Sequence, residues 1–402
     1  MASTVVFTSI AANYLSKARV LANSVKRFAP NAHFCLMLVD DTPPDFLLDS
    51  EPFDSILSLN DLELDNPRAW AFSHSVVELC TAVKGLAVRR LFEDDAVERV
   101  FYFDPDTVLF GRFQELEEQL AHVSILLTPH QSEPEADIEA VLDNEIASLK
   151  HGVFNMGFFG VANTPEGLRF AEWWSERLRH FCLDDIRRGL FTDQKWANLI
   201  PCFFEDYQVI RSPAFNVATW NITTRNVEGS MNKGFSVNGE PLAFYHFSGF
   251  DSGDQELMLN KYGASSRALR ELREWYIAAC QSVGQNEAGS RPYGYACFCD
   301  GENITPAHRR LYRSRVDLQR AFPDPFSVEP GNSYRDWYGF NMGDSSESDS
   351  GITLDANTTT GVALCDMSMW LRQRALLHEG GPKRLVLSGL SRLLGLLSRI
   401  AI

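Results

Sequence analysis

The sequence predicts an α/β fold, a sheet covered by helices, and three observations lead there. A strand, a helix and a second strand succeed one another within the first 40 residues, the βαβ pattern that implies parallel strands under a crossover helix. Apolar faces at helical spacing then recur as far as Ala279. An apolar run from Val100 to Phe103 ends abruptly in two acids, at the strand end where open α/β sheets hold their ligands.

Val5, Val6 and Phe7 form a short opening strand. Tyr14, Ala18, Leu21, Val25 and Phe28 recur at spacings of four and three, one face of a helix that Pro30 ends. Phe34 to Val39 supply the second buried strand and close at Asp40-Asp41. The first loop, Thr8 to Asn13, contains no Gly-x-Gly-x-x-Gly, which argues against a nicotinamide dehydrogenase. A second helix is expected over Val76 to Leu91, with Val76, Cys80, Val83, Ala87 and Leu91 on its apolar face. Thr164-Pro165-Glu166 reads as a helix start, a capping hydroxyl followed by proline and an early acid. Leu168, Ala171, Trp174, Leu178 and Phe181 continue it. From Phe203 to His246 short strand-like runs are broken by Asn, Gly and Pro, suggesting loops over one end of the sheet, and Leu269 to Ala279 is a further helix.

Composition narrows the function classes. The 402 residues are 45% hydrophobic and 22% charged, enough apolar material for a sizeable core. With 53 acidic against 37 basic residues the net charge is −16. Such a field repels a phosphate backbone, so no nucleic-acid partner is expected. The eight cysteines show no zinc spacing and read as reduced thiols. The opening residues lack the pattern of a signal peptide and no run is long enough to span a bilayer. The expectation is a cytoplasmic protein.

Asp104-Pro105-Asp106 is the strongest local signal. Two carboxylates ejected at a strand end suit a hard divalent cation bridging a diphosphate, and they equally suit a solvated turn. Apolar strand, Asp, any residue, Asp also matches the haloacid-dehalogenase-type phosphatases, in which Asp104 would be a nucleophile. That motif opens those chains, whereas here about 100 residues precede it; Asp184-Asp185 would then be the downstream acids.

The surroundings of the pair favour the metal reading. In order along residues 5 to 250 come Asn13-Tyr14, Lys84 in Thr81-Ala82-Val83-Lys84, Asp104-Pro105-Asp106, Phe154-Asn155-Met156-Gly157, Thr192-Asp193-Gln194 and His246-Phe247-Ser248-Gly249. This series resembles the retaining GT-A glycosyltransferases of the galactosyltransferase and glycogenin type (family 8-like), in a bacterial form. The resemblance implies a Rossmann-like mixed sheet flanked by helices and a nucleotide-sugar donor, with UDP-hexose favoured. Asp104, Asp106 and His246 would complete a Mn²⁺ or Mg²⁺ shell. Lys84 would meet the nucleotide or diphosphate, and Thr8, Asn13, Tyr14, Asn155 and Gly249 would line the donor. Asp193 and Gln194 would act at the sugar, the acid gripping hydroxyls and the amide near the anomeric face. Asp193 also stands where a helix N-cap would. Retention would proceed by same-face displacement in which the leaving phosphate takes the acceptor's proton; inversion would need a carboxylate base, and Asp193 could serve. Two departures stand out. Ala11 or Ala12 occupies the place of the acid that often reads uracil, and Gly249 is followed by Phe250-Asp251-Ser252, without the Lys-Pro-Trp ending. A non-catalytic relative that only binds sugar nucleotides is the remaining alternative.

Beyond the catalytic domain expected over residues 1–265, an appendage is expected over 266–342 and a linker over 343–382. Residues 383–402 pattern as an amphipathic helix, with Arg384, Arg392 and Arg399 on one face and a wide leucine face opposite. Such a helix suits contact with an anionic membrane surface at the inner face of the membrane, or packing on protein. In the first case the carbohydrate acceptor would be a lipid-linked glycan, as in bacterial surface polysaccharide assembly.

Overall fold

The computed structural model describes residues 3–342 and the isolated position 390. The linker expected over 343–382 and, that position apart, the amphipathic segment over 383–402 lie outside the described residues. Contact density divides the chain into two units, Met1–Pro67 with His74–Ala296, and Arg68–Ser73 with the chain from Cys297.

The first unit is built on a seven-stranded sheet. Its strands are β1 (Thr4–Ile10), β2 (His33–Leu38), β3 (Ser55–Leu57), β4 (Arg99–Phe103), β6 (Ile125–Pro129), β7 (Phe154–Ala162) and β8 (Tyr207–Val209), in the order β8-β6-β7-β4-β1-β2-β3. Between β4 and β6 lies β5 (Thr107–Leu109), outside this sheet. The β1, β2, β3 and β4 pairings are parallel, as is β8 with β6, while β7 runs antiparallel to both β4 and β6. The expected α/β class with a mixed, helix-flanked sheet is thus present. All seven residues of β1 and all nine of β7 are buried, the all-round apolar character of strands covered on both faces. The sheet extends past the Val5–Phe7 core of β1 to Ile10, so Thr8 belongs to the strand and not to a loop.

Topology then fixes where chemistry can collect. Because β1, β2, β4 and β6 point the same way, their C-terminal ends share one edge of the sheet, and the antiparallel β7 begins on that edge. The segments after β1, β2, β4 and β6 and the start of β7 therefore meet there. The helices that hold this edge are locally encoded. In α1 (Leu15–Phe28) and α2 (Val76–Leu91) the apolar faces turn inward. Ser75 and Glu78 form a capping box at the start of α2, and Thr164 Oγ1 accepts from the Gly167 amide at the start of α3 (Pro165–Phe181). Helix α2 crosses α3 at Gly85, where a Cβ would lie 2.8 Å from Ser175 Cα and N. After β8, an antiparallel hairpin of β9 (Val227–Ser230) and β10 (Gly234–Val237) and the strand β11 (Phe244–His246) appear in the region read as strand-like, and β11 pairs with β5, His246 opposite Thr107. Helix α4 (Arg267–Ser282) packs on α1 and β9 within this unit.

In the second unit Phe72, 0% exposed, is ringed by Phe298, Tyr312, Phe326 and Tyr334 at centroid distances of 5.0–5.9 Å. Arg309 donates to the Phe72 carbonyl (2.9 Å) and Arg313 to that of Ser73 (3.1 Å). No helix among the described residues is long and apolar enough to cross a membrane.

Candidate active site

The β4 strand delivers Asp104 to the shared edge, its amide bonded to the Gly157 carbonyl of β7 (2.8 Å). A turn closed by Thr107 N to Asp104 O (3.0 Å) brings Asp106 alongside, and β11 supplies His246 from the other direction. His246 Nε2 stands 3.0 Å from Asp106 Oδ1 and 3.7 Å from Asp104 Oδ2, and one ligand atom of each of the three lies within 4.8 Å of the others. Burial works against a charged imidazole here, but Asp106 and Asp104 outweigh it and hold His246 above its ordinary value. Burial likewise opposes the Asp106 carboxylate, and His246 and Lys17 keep it below the usual range.

These residues fit a hard cation. Two carboxylates and an imidazole crowd one point, a donor set that can hold a divalent cation. Gly157 leaves the space: a Cβ there would stand 2.5 Å from His246 Cε1, 2.6 Å from Asp104 Oδ2 and 2.8 Å from Asn155 Oδ1.

Behind the trio sits a buried network of charged groups. Lys84, 2% exposed on α2, reaches Asp104 Oδ1 (3.3 Å), Asp193 Oδ2 (2.9 Å) and the Met156 carbonyl (3.0 Å). Tyr102 OH donates to the same Asp104 oxygen at 2.7 Å. Burial disfavours the ammonium, yet Asp104 and Asp193 lift Lys84 well above its ordinary value, so it stays charged. Burial raises the Asp193 carboxyl, with Lys84 pulling the other way. Thr192 enters this turn at φ +44°, a strained conformation for a β-branched residue, and donates to Asp193 Oδ1 (3.1 Å). The Asp193 side chain caps no helix amide.

A set of amides extends the site along β7. Asn155 Nδ2 approaches Gln194 Oε1 (3.4 Å) and His130 Nε2 (3.2 Å), and Asn155 Oδ1 accepts from Asn216 Nδ2 (3.0 Å). Burial, followed by the field of His246, pushes His130 down to about 4, so its ring is neutral and accepts from Asn155. Trp220 lies edge-on to both histidines, at 5.6 Å from His130 and 5.1 Å from His246. Asn216 Oδ1, His130 Nδ1 and Trp220 Nε1 are buried without hydrogen-bond partners, as are Thr8 Oγ1 and Asn13 Oδ1 near the first loop. Tyr14 packs its ring under the Lys17 ammonium, 3.4 Å from the centroid. Gly249 takes φ +71° in the turn after β11, where its carbonyl accepts from Gln255 N (3.0 Å).

The structure thus joins Asp104, Asp106, His246, Lys84 and Asp193 by direct contacts, and Asn155 to Gln194 beside them, with the Met156 backbone bonded to both Lys84 and Gln194. Thr8, Asn13, Tyr14 and Gly249 lie at the same edge, outside that network of contacts among the described residues. Of the two acids read as downstream partners, Asp185 pairs with Arg188 (3.2 Å), while Asp184 bonds Glu78 only through its backbone amide (3.1 Å). Sequence reasoning missed Lys17, His130, Asn216 and Trp220. Asn216, at φ +53° and fully buried, carries no flag beyond an Asn in an irregular run.

No protein-family model matches the chain. It is similar to two uncharacterized proteins of Bacillus subtilis (strain 168). YfnD is 26% identical over 249 residues, 60% of this chain and 76% of that protein. YfnF is 27% identical over 176 residues, 43% of this chain and 57% of that protein, so the match spans little more than half of YfnF. Among solved structures it is similar to the galactosyltransferase LgtC in complex with donor and acceptor sugar analogs, at 14% identity over 70% of this chain and 96% of that one, with a TM-score of 0.38. The glycosyltransferase GlyE of Streptococcus pneumoniae TIGR4 matches at 14% identity over 74% of this chain and 66% of its own, with a TM-score of 0.39.

Proposed function

We propose that the chain is a metal-dependent glycosyltransferase with a GT-A catalytic core, moving a hexose from a nucleotide-sugar donor, UDP-hexose foremost, to a carbohydrate or lipid-linked glycan. The observation that carries this reading is the Asp104–Asp106–His246 trio around the Gly157 gap, backed by the Lys84–Asp193 pair. Asp104, Asp106 and His246 would hold Mn²⁺ or Mg²⁺, which supplies charge neutralisation to a diphosphate leaving group. Lys84 fixes the orientation of Asp104 and adds positive potential at the same point, a preorganised electrostatic contribution. Asn216, His130 and Trp220 present buried polar atoms with unmet capacity, which suits a ligand rich in hydroxyls. Asp193 keeps its carboxylate beside Lys84 and within the same network, favourable for gripping sugar hydroxyls. A retaining course follows from the family resemblance, with inversion through Asp193 as the base the alternative. The membrane contact of residues 383–402, a bacterial origin and a cytoplasmic setting belong to the same proposal and rest on the sequence pattern.

The test is a panel of nucleotide sugars incubated with Mn²⁺, run beside Asp106→Ala and a simple phosphate ester. Release of one nucleotide that needs the metal and disappears in the variant is the expected result. Phosphate release from the ester with silence across every donor would instead make Asp104 a phosphatase nucleophile.

A further inference from the structure

Lys17 is an expensive residue to place where it is. It projects from the first turn of α1 and is 1% exposed, one of two lysines among the described residues that are nearly fully buried; the other is Lys84. Its ammonium stands 3.4 Å from the Tyr14 ring centroid and 5.0 Å from that of Phe250. Among the described residues its one carboxylate partner is Asp251 Oδ2 at 2.6 Å, whose side chain is 42% exposed. Desolvating an ammonium is costly, and a carboxylate that remains largely in water offsets little of that cost. A Lys–Asp pair made for stability alone could sit on the surface. Burial opposes the charge, and Tyr14, Asp106 and Asp251 together outweigh it, so Lys17 remains an ammonium in the field of the metal trio. The start of α1 lies on the sheet edge that carries Asp104, and its helix-dipole end adds positive potential in the same place.

We propose that Lys17 is a diphosphate-binding residue held in reserve by Asp251: an incoming diphosphate, seated on the metal trio, displaces the Asp251 carboxylate and takes the ammonium. The inference rests on the proposed glycosyltransferase reading and adds a binding group from α1 to it. The geometry suits the exchange. Tyr14 and Phe250 flank the ammonium with ring faces that stabilise the cation without competing as anions. Asp251 lies on the turn between Gly249 and Gly253, both at positive φ (+71° and +92°), and its exposed carboxylate returns to water at small cost. A phosphate oxygen that replaces it forms a charge-assisted hydrogen bond of the strong kind.

Calorimetric titration of the full chain with UDP, GDP and dTDP in Mn²⁺, and then with the matching monophosphates, measures what the second phosphate adds. Lys17→Met is expected to lower that increment about tenfold or more, and Lys17→Arg to keep most of it. Asp251→Asn, a change on an exposed turn, is expected to tighten diphosphate binding several-fold, since the competitor for the ammonium is gone. A wild-type increment in Lys17→Met overturns the assignment. So does an Asp251→Asn chain that binds no more tightly than the wild type, a result that does not depend on how well the Lys17 variants fold. A wild-type chain that binds none of the three diphosphates with Mn²⁺ removes the glycosyltransferase reading itself, and this inference with it.

Discussion

A methyl group at position 157 would have to share space with His246 Cε1, Asp104 Oδ2 and Asn155 Oδ1, all within 2.8 Å of it. Two of these belong to the trio and the third to the amide network, so Gly157→Ala should disturb both at once. The expected result is loss of most Mn²⁺ affinity, on the order of a hundredfold if one ligand is displaced, with the fold retained by circular dichroism. Wild-type metal binding in that variant would sever the trio from the metal. Asp40, after β2, makes a different prediction. It accepts from Ala12 N (2.9 Å) and Gly294 N (3.3 Å), and burial, working against these bonds, lifts it to about 6. Between its ordinary value and about 6 the folded chain holds a proton that the unfolded chain has released, so stability declines as pH rises through that window. The decline amounts to about 2–3 kcal/mol. Asp40→Asn should lack it, so its melting temperature relative to wild type should improve between about pH 4 and pH 7; a gap that ignores pH would count against the buried acid. The sequence made Asp104, Asp106 and Lys84 visible through a strand end and an ordered series of motifs. Lys17 was invisible because a lysine in an amphipathic helix reads as solvated, and its burial depends on Tyr14, Phe250 and Asp251, the last 234 residues away.

Helix α2 shows how an element positions a single atom. Lys84 Nζ reaches Asp104 and Asp193 because the next residue, Gly85, lets α2 press against the Ser175 backbone of α3. A Cβ 2.8 Å from Ser175 Cα and N meets main chain that cannot rotate away. Gly85→Ala is therefore expected to destabilise the protein by about 1–3 kcal/mol through overpacking, and to weaken Mn²⁺-dependent activity as Lys84 shifts. Thr164→Ala, at the cap of α3, should cost about 1 kcal/mol and leave activity per folded molecule unchanged. Equal losses of activity per folded molecule in the two variants would mean that the Gly85 contact does not position Lys84. The helices were readable in sequence since caps and apolar periodicity are local: Ser75 with Glu78 and Thr164 with Pro165 stand where those helices begin. The reversal of β7 was not. Its nine buried residues carry no alternation, and a strand buried on both faces looks alike in either direction. That reversal, which brings Asn155 and Gly157 to the edge beside Asp104, comes from chain connectivity across the sheet.

At the scale of the whole molecule, the chain leaves its first unit for six residues, Arg68–Ser73, and those six belong with the chain from Cys297. Sequence reading expected an appendage over residues 266–342 but had no signal for the early segment, because Ala69-Trp70-Ala71-Phe72 resembles any short apolar helix. The consequence is a folding dependence between distant parts of the chain. Phe72 is fully buried only because Phe298, Tyr312, Phe326 and Tyr334 surround it, and Arg309 and Arg313 satisfy the carbonyls of Phe72 and Ser73. A chain ended at residue 296 would keep every residue of the metal trio and of the Lys84 network, yet it would leave Phe72 without that cover. It should retain Mn²⁺-dependent nucleotide binding while gaining exposed apolar surface, seen as increased binding of a hydrophobic dye and association at high concentration. Adding Phe72→Ser to the shortened chain should reverse most of the association, whereas the same substitution in the full chain should cost about 3–5 kcal/mol, the usual penalty for emptying a buried aromatic site. Opposite signs of one substitution in two backgrounds would show that this segment serves the second unit. A shortened chain that stays monomeric with Phe72 intact would show that the first unit covers the ring by itself.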